Sequence, residues 1–160
     1  MLDQLTKYMA VKHLMPIGSH PFIPGLIEFN YTTNPGIAFG MLGGKGWFFI
    51  PVSFLAIILT VFFLIRFRKS ISPLLSAAVA MVAGGGIGNQ IDRIFKGEVV
   101  DFLNFQFIDF PVFNVADCFV TIGCSLAIIS LIFFDRDLLF DDKKDKKPTT
   151  LAEKNKNDRQ

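Results

Sequence analysis

With only two cysteines and two histidines, the chain has little from which to build a metal centre or a disulfide framework. Cys118 and Cys124 stand six residues apart on a stretch that reads as one helix, which puts them on different faces and too far apart along the axis to be bridged. Neither has a histidine at zinc-ligand spacing, and His13 and His20 lie alone in a polar N-terminal region. These absences argue against a zinc enzyme, and both thiols are expected to be reduced and buried. No serine or cysteine stands beside a partnering histidine, so the main covalent protease mechanism lacks its parts. An excess of one sign of charge is lacking too: a net +2 over 160 residues gives no footing for nucleic acid. No metal and no cofactor are implied.

Charge is missing altogether from long stretches, and there the composition turns informative. Mean hydropathy is +0.46 and Phe alone accounts for 19 residues, a balance few soluble domains reach. A helix needs about 20 mostly apolar residues to cross the hydrocarbon core. Residues 47–65 carry no charge and open on Trp47, residues 71–91 carry none, and residues 113–134 have Asp117 as their only charge. With no water in the core to satisfy open backbone, all three are expected as helices.

Arg66-Phe67-Arg68-Lys69 sits between the first two spans, and the positive-inside rule assigns it to the cytoplasm. After the third span, residues 141–160 hold seven Lys/Arg against five Asp/Glu and almost no large apolar side chain, the composition of a disordered cytoplasmic tail. Both assignments turn residues 92–112, and the segment before Trp47, outward. With three spans the N-terminus would also lie outside, although the chain opens on the polar Met1-Leu2-Asp3-Gln4-Leu5-Thr6-Lys7. Four spans are therefore the expected natural architecture, the first lost through truncation or a misplaced start. The expected organisation is one membrane-embedded domain over residues 1–140 and the tail over 141–160.

Gly84-Gly85-Gly86-Ile87-Gly88 lacks the ending of a phosphate loop, and Asn89 replaces the last glycine of a dinucleotide fingerprint. Gly84 and Gly88, four residues apart inside a span, fit close helix packing better. Ionisable groups near membrane depth are costly and ask for a reason. Three polar clusters stand out, all on the outward side: around Asn34 and Gly36; in Gly88-Asn89-Gln90-Ile91-Asp92-Arg93 followed by Gly97-Glu98-Val99-Val100-Asp101; and in Phe113-Asn114-Val115-Ala116-Asp117. Asn114 and Asp117 have the spacing of a helix-capping pair, so a purely structural role stands beside a functional one. Asp92 and Arg93 suit a helix end at the interface, and with Asn89 they share one helical face. Asp101, between two valines and Phe102-Leu103, has no evident solvated role.

Two carboxylates brought together at an apolar boundary cannot both ionise and so share a proton. The ionised member can take a proton from water while the protonated one polarises a scissile carbonyl. An ion-coupled transporter is the rival from another class, but internal repeats and broken mid-membrane spans are not visible. Neither aspartate carries the flank of a Gly-x-Gly-Asp intramembrane protease, and nothing specific speaks for a non-catalytic assembly factor.

At these clusters the chain resembles the lipoprotein signal peptidase (signal peptidase II) family over nearly its whole length to about residue 134. Asn34-Pro35-Gly36-Ile37-Ala38-Phe39, Gly88-Asn89-x-x-Asp92-Arg93 with Gly97-x-Val-Val-Asp101-Phe102, and Phe113-Asn114-x-Ala116-Asp117 are similar to its three signatures, in order. Asp3-Gln4-x-Thr6-Lys7 resembles a fourth, which in the family follows the first membrane helix. The resemblance implies an all-α membrane bundle of four helices with a small extracytoplasmic β-rich segment near residues 21–41. It implies an aspartic endopeptidase of the bacterial inner membrane, active near the outer face without a cofactor. Its substrate would be a diacylglyceryl-prolipoprotein, cut just before the lipidated cysteine. Asp101 and Asp117 would be the catalytic dyad, and Asn34, Gly36, Asn89, Asp92, Arg93, Asn114 and Ala116 would bind substrate or brace the site. Which aspartate holds the proton at rest stays open. Membrane lipid is the expected surrounding partner, the chain is expected to be a monomer, and the aromatic residues 104–112 are expected to form a lid gating entry.

Overall fold

The structure, a computed structural model, describes residues 2–35 and 46–138. The expectations for Gly36, for the side chain of Trp47 and for the tail at 141–160 fall outside the described residues and side chains. The three uncharged runs form helices α2 (Gly46–Phe67), α3 (Pro73–Lys96) and α4 (Val115–Phe133), after a short α1 (Leu2–Met9) that continues as one π-helical turn over Ala10–Leu14. The three long helices are long and apolar enough to cross a membrane, with hydropathies of 2.4, 1.4 and 2.2. α3 is the least apolar because its last turns carry Asn89, Gln90, Asp92 and Arg93, and it packs between α2 and α4. Phe54, Leu55, Ile58 and Phe62 on α2 and Ile128 and Ile132 on α4 are exposed, as they must be where the outer solvent is hydrocarbon.

Local chemistry fixes the helix ends. α3 starts on Ser72, whose hydroxyl accepts the Leu75 N–H at 3.1 Å, with Pro73 in the first turn; it stops at Gly97, whose φ of 80° suits the residue without a Cβ. Asp135, just past α4, accepts the Ser72 N–H at 2.7 Å and the hydroxyls of Ser72 and Ser130 at 2.6 and 2.7 Å. Burial opposes its charge, but these donors outweigh burial and hold its carboxyl below the ordinary range. The start of α3 is thereby tied to the end of α4.

Close approach of α3 to its neighbours depends on glycine, and of the pair expected from the sequence Gly88 takes part while Gly84 is replaced by Gly85. A Cβ on Gly84 would meet nothing within 4 Å, whereas one on Gly85 would lie 2.5 Å from the Ala116 carbonyl oxygen and one on Gly88 2.6 Å from Asp3 Oδ2. Gly88→Ala is expected to destabilise the bundle by about 1–3 kcal/mol, the usual range for overpacking. An SDS-unfolding titration in detergent micelles reads this directly, and an unmoved midpoint would contradict the contact.

A three-stranded antiparallel sheet, β1 (Ser19–Ile23), β2 (Ile27–Asn34) and β3 (Val99–Phe105), covers the end of α3. β1 and β2 fall in the β-rich stretch expected from the sequence. β3 does not: residues 92–112 read as an outward loop, but α3 runs on to Lys96 and β3 pairs with β2, placing Thr32 opposite Asp101 and Asn34 opposite Val99. Val100 and Phe102 pack on Ala10 and Leu14, so the sheet rests on the end of the N-terminal helix. The thiol expectation needs correcting as well: both cysteines are free, but Cys118 is only partly buried and Cys124 is exposed, because residue 124 faces outward on α4.

Candidate active site

β3 descends beside the first turn of α4 and the last turns of α3, and the three elements enclose a cavity of about 460 Å³. One wall is polar: Asn34 from β2, Asn89 and Arg93 from α3, Asp101 from β3 and Asp117 from α4. The rest is apolar, with Phe105, Phe110, Phe113, Val112, Val120 and Ile122 among its lining. These three aromatics form one cluster with the neighbouring Phe107: Phe105 lies 5.4 Å from Phe107, 5.8 Å from Phe110 and 4.9 Å from Phe113, centroid to centroid. Phe105, Phe107 and Phe110 fall within the segment 104–112 expected as a lid, and Phe113 lies just past it.

Asn114 joins the two aspartates to the backbone. Its Oδ1 accepts the Asp117 N–H at 3.1 Å while its own N–H is accepted by Asp117 Oδ2 at 3.0 Å, a reciprocal box that starts α4. Its Nδ2 donates to Asp101 Oδ1 at 2.6 Å, to Asn89 Oδ1 at 3.0 Å and to the Val100 carbonyl at 3.3 Å. Asn89 Nδ2 donates to Asp117 Oδ1 at 2.7 Å. A continuous chain, Asp101–Asn114–Asn89–Asp117, therefore links both carboxylates. The capping and site readings of Asn114 do not compete, since one amide does both.

Behind this chain lies a charged layer. Lys7, wholly buried, reaches Asp3 Oδ2 at 3.0 Å, Asp92 Oδ2 at 2.9 Å and Asn89 Oδ1 at 2.7 Å. Asp92 also takes Lys96 at 2.9 Å, Gln4 Nε2 at 3.3 Å and the Val100 N–H at 3.4 Å. Asp3 Oδ1 accepts the N–H of the fully buried Ala116 at 2.9 Å. Asp92 and Ala116 thus sit behind the cavity and Asn34, Asn89, Arg93, Asp101 and Asp117 on it. Reading the residues did not single out Lys7, Asp3 and Gln4 as parts of the site, although an acid and a base four residues apart in a polar first turn were a signal for a helix with a charged inward face. Gln90 was missed too; it accepts the Ser53 hydroxyl at 2.8 Å and donates to the Ile50 carbonyl at 3.1 Å, fastening α2 to α3.

Burial pushes the Asp101 carboxyl up to about 6; the amide donors of Asn114 and Asn34 and the charge of Lys7 oppose the rise, and the Asp117 charge adds to it. A carboxyl that keeps its proton well above the ordinary carboxylate range, beside a second one across an amide bridge, suits acid–base work on a polar bond. Among the described residues no cluster of His, Cys, Asp or Glu is arranged to hold a metal ion.

Residues 1–133 match the family described as Signal peptidase (SPase) II. A lipoprotein signal peptidase of Caldanaerobacter subterraneus subsp. tengcongensis is 45% identical over 133 residues, covering 82% of this chain and 89% of that protein. One from Bacillus pumilus is 40% identical over 151 residues, covering 93% and 92%. Among solved structures, a bacterial membrane enzyme determined by the in meso method at 2.3 Å resolution superposes with a TM-score of 0.74 at 36% identity, covering 91% of this chain and 86% of that one. A second, at 1.9 Å resolution, gives 0.71 at 38% identity, covering 83% and 86%.

Proposed function

The chain belongs to the signal peptidase II family, and from that membership we propose that Asp101 and Asp117 hydrolyse the peptide bond by activating water between them. It is a membrane aspartic endopeptidase that removes signal peptides from prolipoproteins. The observation that carries the mechanism is the hydrogen-bonded chain linking Asp101 and Asp117 on one cavity wall. In the proposed reaction the Asp117 carboxylate takes a proton from water as its oxygen attacks the scissile carbonyl, and Asp101 gives its proton to the carbonyl oxygen. The tetrahedral diol collapses when Asp117 returns its proton to the departing amine and Asp101 recovers one from a hydroxyl. Arg93, on the same wall and within electrostatic reach of both aspartates, balances their charge. Asn34, at the end of β2, and Gly36 would hold the substrate backbone.

The cut is proposed to fall before the diacylglyceryl cysteine, with the apolar wall receiving the lipid and the Phe105–Phe110–Phe113 cluster opening to admit it. Arg66 and Lys69 lie at the opposite end of α3 from the cavity, which supports an active site on the extracytoplasmic side of the inner membrane. The enzyme is proposed to act as a monomer among membrane lipids, with residues 1–140 as its membrane domain and 141–160 as a cytoplasmic tail.

The test is cleavage by purified enzyme of one precursor with and without its diacylglyceryl group. The lipidated form is expected to yield a product beginning with the modified cysteine and the unmodified form to stay intact. Equal cleavage of both, or a cut elsewhere, would refute the substrate assignment.

A further inference from the structure

We propose that Lys7 is a positioning residue: it dictates which way the Asn89 amide points, makes Asp117 the acceptor of N–H donors on both oxygens, and so leaves the shared proton to Asp101. The proposal rests on the dyad reading above and deepens it. Lys7 touches neither aspartate of the dyad. Its ammonium has three protons and three acceptors, Asp3 Oδ2, Asp92 Oδ2 and Asn89 Oδ1, at 3.0, 2.9 and 2.7 Å.

An amide can be turned end for end at little cost unless its neighbours discriminate oxygen from nitrogen. An ammonium only donates, so Asn89 must present its oxygen to Lys7. Asn114 Nδ2, also a donor, meets the same oxygen at 3.0 Å and agrees with that choice. The Asn89 NH2 is thereby aimed at Asp117 Oδ1, at 2.7 Å. Asp117 Oδ2 meets the Asn114 main-chain N–H at 3.0 Å, a group that cannot accept. Both oxygens of Asp117 face donors, and neither of these two partners could accept a proton from it. Asp101 also accepts from Asn114, but its more enclosed place on β3 opposes its charge, and it is left to carry the proton.

A hydrocarbon in place of Lys7 would fill the space, and buried ion pairs contribute little net stability over well-packed apolar groups. What a hydrocarbon cannot supply is a direction for the amide. The charged groups around Lys7 are Asp3 on α1, Asp92 on α3 with Lys96 beyond it, and, through Asn89, Asp117 on α4; its charge also reaches Asp101 on β3.

The deciding variant is the double Lys7→Met with Asp3→Asn in the full chain, assayed on a diacylglyceryl-prolipoprotein. It removes one charge of each sign, leaves the Asp92–Lys96 pair intact, and keeps an oxygen for the Ala116 N–H, so no buried charge is stranded. Per folded molecule, kcat is expected to fall about a hundredfold, the scale of a small misplacement of reacting groups, with KM little changed. The alkaline limb of the kcat profile moves to higher pH, because a positive charge that opposed the proton on Asp101 is gone and Asn89 is free to offer its oxygen to Asp117. Lys7→Arg, which keeps a donor-only cation, holds that limb in place. Unchanged kcat per folded molecule, an unmoved limb in the double variant, or the same displacement in Lys7→Arg would overturn the proposal. Asp101→Asn in the same assay separates the readings: an active Asp101→Asn removes the dyad itself, whereas an inactive one beside a fully active double variant removes only the role of Lys7.

Discussion

Asp101→Asn and Asp117→Asn are each expected to reduce processing of a diacylglyceryl-prolipoprotein to background while the protein still inserts and folds. In the proposed reaction each carboxyl handles a proton that an amide cannot handle, and deletion of one member of a cooperating catalytic set costs on the order of 10⁴-fold or more in kcat. Asparagine keeps the shape and an oxygen, so at position 101 the Asn114 amide retains its partner. The substitution also removes a buried ionisable group, so the fold should not suffer. A pH profile adds a second reading. Burial lifts Asp101 to about 6, above its value in an unfolded chain, so the proton is held through the acid range and lost as pH rises through that value. The alkaline limb of kcat/KM is expected there. Folding stability follows the same sign: the contribution of a neutral Asp101 is complete below the ordinary carboxyl range and is lost as pH climbs to about 6. Full turnover in either asparagine variant would end the dyad assignment.

Asp92→Ala should fail by a different route, through the fold. Asp92 is wholly enclosed and accepts from Lys7, Lys96, Gln4 and the Val100 N–H. Alanine would leave the buried Lys7 with one carboxylate instead of two and a buried N–H without that acceptor. Breaking a buried pair from one side costs about 3–5 kcal/mol, a large part of the 5–15 kcal/mol that holds a typical protein folded. The variant is expected to accumulate poorly and to unfold at a much lower SDS fraction in micelles. Asp92→Asn, which keeps acceptor oxygen for Gln4 and Val100, should lose less. A wild-type unfolding midpoint for Asp92→Ala would show that the charged layer does not support the bundle.

The two substitutions mark where a linear reading works and where it stops. The long helices were legible because a bilayer permits few alternatives: an uncharged run of sufficient length has to close its own hydrogen bonds. β3 was not, because an aspartate interrupts its apolar run and its partner strand lies some seventy residues upstream, opposite Asn34 and Thr32. α1 was obscured for a related reason. Its polar residues face inward and Leu2, Leu5, Tyr8 and Met9 face outward, the reverse of a helix on a soluble core. Glycine spacing pointed to Gly84 and Gly88, but the rotation of α3, which only packing fixes, turns Gly85 rather than Gly84 toward the neighbours beside Gly88. Asp101 and Asp117 could be picked out as isolated carboxylates in apolar settings. The amides that bridge them, and the ammonium behind the amides, depend on which helix faces meet.

Order of synthesis gives the buried Lys7 one more consequence. Its partner Asn89 is added 82 residues later, and Ala116, which binds Asp3, 113 residues after Asp3. At about 5–20 residues per second a nascent chain takes roughly 4–23 s to cover that interval. Until then Asp3 and Lys7, one helical turn apart, neutralise only each other. The catalytic wall can therefore close only after α4 emerges and α1 docks against a helix whose partner residue is made 113 residues later, so completion of the site waits on the last of the elements that build it.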